Sequence, residues 1–208
     1  MQATPTQRRR AASPKPTITE AARRAQIIDA AIAVIATEGF PQATFARIAR
    51  EAGLSSTGLI SYHFAGKRDL TTATAGAIMD HLSSFMTAWM APRATAPHAA
   101  LVAYIEGLIR YMRDEGARMR ALSAIFLHGG FAWDGEQQEQ VQKGIAGILG
   151  WGQETGDFRA FDVTVMATTI QRSLDGIPFL QMANPALDLD HYAAELVELF
   201  TRATASES

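Results

Sequence analysis

Thr44–Leu70 reads TFARIAREAGLSSTGLISYHFAGKRDL. Phe45, Ile48, Ala49 and Ala52 recur at helical spacing and make one apolar face, while Arg47, Arg50 and Glu51 face away. Thr44 is placed to cap this short helix, because its hydroxyl can accept a free backbone N–H of the first turn. Gly53 ends the helix, and Leu54 can plug the core at the turn. Ser55 or Ser56 is expected to cap a second short helix. Its Ile60 and Phe64 point inward and its Thr57, Gly58, Ser61, Tyr62 and His63 point outward, with Leu59 near the boundary. Lys67-Arg68 then opens a third helix. Two short helices joined at a glycine turn form a helix-turn-helix.

The outward set is small or polar and carries a hydroxyl, an imidazole and a phenol, with a glycine that permits close backbone approach. A helix exposing such residues suits base edges and phosphates in a DNA major groove. Lys67 can reach a phosphate, and the first turn led by Thr44 can bind a phosphate oxygen. Taken singly, His63 reads as an ordinary surface histidine and Tyr62 as a half-buried packing residue, so the joint pattern carries the argument. Charge distribution agrees. Residues 1–70 hold ten Lys/Arg against five Asp/Glu, a net of +5, and residues 71–208 hold nine against sixteen, a net of −7. Such asymmetry fits a nucleic-acid face on the basic part, although chance clustering with a solvated basic tail would give the same count.

From Arg23 to about Leu82 the chain resembles the N-terminal domain of TetR-family transcriptional regulators. The matching residues are the helix AAIAVIATEGF, the segment TFARIAREAGLS, the pair His63-Phe64, and Lys67 with Leu70. STGLISYHFAGK, Ser56–Lys67, is similar to the recognition helix of a subset that includes choline-responsive regulators. The resemblance implies that Thr44, Ser56, Thr57, Gly58, Ser61, Tyr62, His63 and Lys67 lie at DNA-contacting positions. Two departures stand out. The turn is one residue longer than is usual for the family, the addition falling at Ser55 or Ser56. Ser61 stands where many members carry a tyrosine, so that contact is expected to be shorter or lost.

Working outward, residues 1–19 carry Pro5, Pro14, Pro16 and Arg8-Arg9-Arg10 with few apolar groups, which predicts a disordered basic arm able to touch phosphates or a minor groove. Residues 20–38 form a helix with Thr19 as N-cap, Ile27, Ala30, Ala31, Val34 and Ile35 on its apolar face, and Gly39 as its stop. One long helix runs from Arg68 to about Ala91, its face marked by Leu70, Thr74, Ala77, His81, Phe85 and Trp89, and Pro92 and Pro97 break it. Further helices are predicted over 98–115, 117–128, 136–154, 162–183 with a bend at Pro178, and 189–203. No strand-like alternation occurs. The expected fold is all-α: an arm (1–19), a three-helix DNA-binding domain (20–67), a helical effector-binding and dimerisation domain (68–203) and a frayed tail (204–208).

The larger part offers no catalytic constellation and no cofactor fingerprint. His81, His98, His128 and His191 show no metal-ligand spacing. With no cysteine, disulfides and thiolate sites are excluded. No apolar run is long enough to span a membrane, and the basic N-terminus has no apolar segment behind it, so a cytoplasmic protein is expected.

This part is rich in Met and large aromatics. Met86, Trp89, Tyr104, Leu108, Tyr111, Met112, Phe126, Phe131, Trp151 and Met166 are candidates for an adaptable, partly apolar effector pocket, against the plainer reading that each is core. The resemblance implies a homodimer through a four-helix bundle of the last two helices, for which Ala167, Ile170, Leu174, Leu196 and Phe200 are candidates. Two recognition helices about a two-fold axis would read a palindromic operator in double-stranded DNA. The expectation is a repressor released by a small molecule. An effector-independent regulator or an activator is the alternative, and an all-α ligand-binding or enzymatic protein with an incidental helix-turn-helix is the rival of another class.

Overall fold

The structure, a computed structural model, describes residues 18–128 and 135–206, with side chains from 143 onward in the second stretch. Its elements in order are α1 (Ile18–Glu38), a 3₁₀ turn (Phe40–Gln42), α2 (Phe45–Glu51), α3 (Gly58–His63), α4 (Lys67–Met90), α5 (Pro97–Asp114), α6 (Gly116–Leu127), α7 (Gly135–Thr155), α8 (Val163–Asp175), α9 (Ile177–Ala183) and α10 (Leu189–Thr204). Among the described residues, extended pairing is limited to one isolated antiparallel bridge between Phe158 and Ala205.

Local chemistry accounts for most of these boundaries. Gly39 leaves α1 at φ +90°, and Gly53 turns the chain after α2 at φ +64°, both in the left-handed region that glycine enters without a Cβ clash. Asp162 caps α8 by accepting from Val165 N, and Asp188 caps α10 by accepting from Asp190 N and His191 N. Pro178 does not bend one helix, as expected, but starts another. At the second position of α9 its missing N–H costs nothing, and the chain breaks at Gly176 between α8 and α9. Thr19 lies inside α1, not at its cap.

Two apolar cores meet at α4. The first gathers Ile27, Ala31 and Ile35 of α1, Ile48 of α2, Ile60 of α3, Phe64, and Leu70, Ala75 and Ile78 of α4. The second gathers Leu101, Ile105 and Ile109 of α5, Ile145 and Leu149 of α7, Ile170 and Leu174 of α8, and Leu196 and Phe200 of α10. Leu82 and Met86, further along α4, pack against this second core, so one helix serves both.

The first core contains more than the expected N-terminal domain. Ala121, Leu122 and Ile125 of α6 are fully part of it, and α6 lies along α1 with Arg118 3.8 Å from Asp29. Met119 touches both cores. Residues 204–206, within the expected frayed tail, are tied to the body of the chain. Thr204 is completely buried, its carbonyl accepts from Arg159 N at 3.0 Å, and Ser206 Oγ donates to the carbonyls of Gly156 and Asp157. Most of the expected basic arm, residues 1–17, lies outside the described residues, as does Phe131.

Candidate nucleic-acid interface

α2 begins where a threonine can cap it. Thr44 is extended, at φ −88° and ψ 156°, and its Oγ1 accepts from Arg47 N at 3.3 Å. Its hydroxyl is exposed at the same time, so the first turn of α2 is open to an incoming anion. After α2, Leu54 N donates to Ala49 O at 2.8 Å, and Leu54 packs against the first core as expected.

α3 is anchored from beneath by Ile60 and Phe64, which are 0% and 1% exposed. Ser56, Thr57, Gly58, Ser61 and Tyr62 all stand in solvent, and Tyr62 is 72% exposed. An apolar underside and a polar, hydroxyl-rich outer side on so short a helix are what a groove reader requires. Neither Ser55 nor Ser56 caps it. Thr57 occupies the cap position with helical dihedrals, and no side chain accepts from the first turn. Thr57 O instead accepts from Ile60 N and Ser61 N. The longer turn therefore displaces the expected cap and leaves Ser56 free to face outward.

His63 and Lys67 are less extended than the sequence suggests. His63 is half-buried and meets the Tyr62 ring edge-on, with centroids 5.0 Å apart. Lys67 lies back over the Phe40 ring at 4.7 Å, and its Nζ donates to Phe40 O at 3.2 Å, although the residue is exposed. Arg47 pairs with Glu38 at 2.8 Å, whereas Arg50 and Arg68 lie exposed on the same basic part of the chain.

Three residues of α1 that sequence reading passed over reach this region. Arg24 Nη1 donates to His63 O at 2.7 Å, and its guanidinium lies 4.2 Å over the Phe64 ring. Gln26 Nε2 donates to Ala52 O at 2.6 Å. Tyr62 Oη donates to Glu20 Oε1 at 3.2 Å. These partners are separated by 39, 26 and 42 residues in sequence, beyond the reach of any local signal.

Most of the described effector candidates lie in or against the second core. Leu108, Tyr111 and Met112 are buried, Met86, Tyr104 and Met166 pack against the second core, and Phe126 packs against the first. Trp89 is held between α4 and α5, where its Nε1 donates to Ala103 O at 2.9 Å, and Trp151 is 37% exposed. Tyr104 Oη donates to Gln171 Oε1 at 2.9 Å, and burial, with Asp175 nearby, raises its phenol pKa well above the ordinary value. Among the described residues, no group of His, Asp and Glu is arranged to hold a metal ion.

The dimer candidates are already buried within the single chain. Ala167, Ile170, Leu174, Leu196 and Phe200 are between 0% and 9% exposed within the single chain, because they face α5 and α7 and form its own core. The apolar residues left outward on the same helices are Val165 (63% exposed) and Leu199 (57%). With Phe161, Met166, Thr169, Ala203 and the edge of the candidate Phe200 they line an open groove of about 400 Å³ between α8 and α10. Both helices are amphipathic, and their buried stripes pack within the chain.

Comparison with known proteins bears on both parts. The family described as bacterial regulatory proteins, tetR family, matches residues 27–74. The HTH-type transcriptional regulator BetI of Cronobacter sakazakii is 39% identical over 100 residues, covering 48% of this chain and 49% of that protein. The chain thus spans about half the length of the curated relatives it matches. Fold similarity extends further. A tetR-family regulatory protein from Rhodococcus RHA1 superposes with a TM-score of 0.74 at 23% identity, over 89% of this chain and 98% of the other. FadR of Bacillus subtilis, in complex with stearoyl-CoA, gives 0.70 at 21% identity, over 85% and 97%.

Proposed function

We propose that the chain, whose residues 27–74 match the tetR family of bacterial regulatory proteins, is a sequence-specific, double-stranded-DNA-binding transcriptional regulator acting in the cytoplasm. The observation that carries this reading is α3, with Ile60 and Phe64 buried beneath a solvent face of Ser56, Thr57, Gly58, Ser61 and Tyr62. Thr44 and Lys67 flank that face as phosphate contacts, and His63 joins it once its imidazole turns outward. The rival, an enzyme or ligand carrier with an incidental helix-turn-helix, has the family match against it.

A homodimer reading a palindromic operator follows from the small surface of one short recognition helix. The outward apolar strip of α8 and α10 supports it, with Val165 and Leu199 as central contacts. Repression released by a partly apolar small molecule is the favoured mode, supported by the similar fold of a protein that carries stearoyl-CoA. Release requires that the effector bind the form unsuited to DNA more tightly. α4, shared by both cores, would move α3 relative to its twin. An effector-independent regulator or an activator is the alternative.

Binding to random duplex DNA as a function of salt tests the core of the proposal. A steep loss of affinity with salt is expected. No binding at low salt would remove the reading. Selection of bound duplexes from a randomised pool then supplies the operator, and a thermal-shift screen of small apolar metabolites tests for the effector.

A further inference from the structure

α3 cannot hold its own geometry. It is 6 residues long, has no side-chain cap at its start, and follows a 7-residue α2. Helices this short are unstable alone, and their last carbonyls need partners from elsewhere. Those partners come from the first turns of α1. Gln26 satisfies the carbonyl of Ala52, the residue that ends α2, and Arg24 satisfies the carbonyl of His63, the last residue of α3. The Arg24 guanidinium also lies over Phe64, which ends α3 in extended conformation and is buried beneath it.

From this we infer that Arg24 is a specificity-determining residue of the DNA reader that acts by positioning, not by contact. A guanidinium that both donates to the terminal carbonyl and stacks on the next ring fixes the end of α3 in direction and height. Arginine combines a planar, permanently charged cation with five donors. The pitch of α3 over its core then decides which base edges Ser61, Tyr62 and His63 reach. The inference rests on the DNA-binding reading, and it assigns to Arg24 a role distinct from that of Lys67. Lys67 is exposed and can leave the Phe40 carbonyl for a phosphate, whereas Arg24 is half-buried between His63 O and the Phe64 ring.

Arg24→Met keeps the length and apolar stem but removes the donors and the charge, and Arg24→Lys keeps the charge and one donor group. Two measurements separate the possibilities. In the DNA-free full-length protein, hydrogen exchange at the amides of Tyr62, His63 and Phe64 should quicken about tenfold in Arg24→Met, with α10 amides unchanged. With duplexes selected from a random pool, the ratio of selected to random affinity should fall about tenfold in Arg24→Met and recover in part in Arg24→Lys. The slope of log affinity against log salt should stay as in the parent. A slope smaller by about 0.9 with an unchanged ratio would show that Arg24 binds a phosphate and would overturn the inference. Unaltered exchange at the end of α3 would overturn it as well. If the parent protein selects no duplex, the DNA reading fails, and the exchange result alone still judges whether Arg24 positions α3.

Discussion

Gly107 of α5 faces the indole of Trp89 on α4 so closely that a Cβ on Gly107 would sit 2.5 Å from Trp89 Cδ1 and 2.9 Å from its Nε1. That nitrogen is the donor to Ala103 O, one helical turn earlier on α5. The ring also stacks on Phe85, with centroids 6.2 Å apart, and carries Arg93 at 3.5 Å on a face. A single missing methyl group therefore sets how near α4 and α5 approach.

Gly107→Ala should destabilise the protein, although alanine is the better helix former by about 1 kcal/mol. Expelling the indole from its hydrogen bond and its stacking partners costs more, with a net loss of about 1–3 kcal/mol expected. Urea unfolding followed by tryptophan emission reads both the loss and the changed ring environment. An unchanged midpoint would mean that the helices separate freely at this point.

His81 Nδ1 and Tyr111 Oη meet at 3.0 Å where the two cores adjoin, and Tyr111 is fully buried. Burial chiefly, with Arg118 lowering and Glu115 raising it in turn, pushes the Tyr111 phenol up to about 12 from 10. Between these values the unfolded chain releases a proton that the folded chain retains. The stability contributed is thus complete below about pH 10 and declines as pH climbs toward about 12. Tyr111→Phe should cost about 1 kcal/mol near neutrality through the lost hydrogen bond, and its disadvantage should shrink in the alkaline range. Unfolding midpoints at about pH 8 and about pH 11 provide the comparison. A disadvantage that grows with pH would contradict the sign.

Lys67→Ala and His63→Ala should fail in different ways. Removing a phosphate contact weakens operator and random DNA alike and reduces the salt slope by about 0.9. Removing a base contact narrows the gap between operator and random DNA by about 1–3 kcal/mol and leaves the slope in place. Titrations of both duplexes at several salt concentrations distinguish these outcomes. Equal specificity ratios in the two variants would show that the roles are misassigned.

Leu199→Glu and Leu174→Ala test where association occurs. Leu199 is 57% exposed and Leu174 is 0% exposed. A charge at Leu199 should yield a monomer in sedimentation with little loss of thermal stability per chain beyond that of dissociation. Truncation at Leu174 should lower the stability of each chain by about 2–5 kcal/mol through the cavity left behind. A dimer that survives Leu199→Glu would place the interface elsewhere.

Helices, their stops and the glycine turn were legible because their causes are local. The 3.6-residue period of Ile27–Ile35, the Thr44 side chain, and Gly39 and Gly53 each act within a turn of their own position. The outward set of α3 was legible for the same reason, given that Ile60 and Phe64 define its underside. What an apolar stripe packs against is not local. The stripe Ala167–Ile170–Leu174 was assigned to a second copy but belongs to α5 and α7 of the same chain. Arg24, Gln26 and Glu20 drew no notice because a charged or amide residue on a surface helix gives no sign that a carbonyl 26 or 39 positions away awaits it.

α6 enters the chain after the long helix and the whole of α5, yet Ala121, Leu122 and Ile125 fill the core that supports α3. The reader is consequently not a cassette that ends where α4 ends. Cut after Met90, the first ninety residues would expose to water the part of the α1 core that α6 covers. A chimera that joins this reader to another sensory half must carry α6, or a helix shaped to replace it, across the junction.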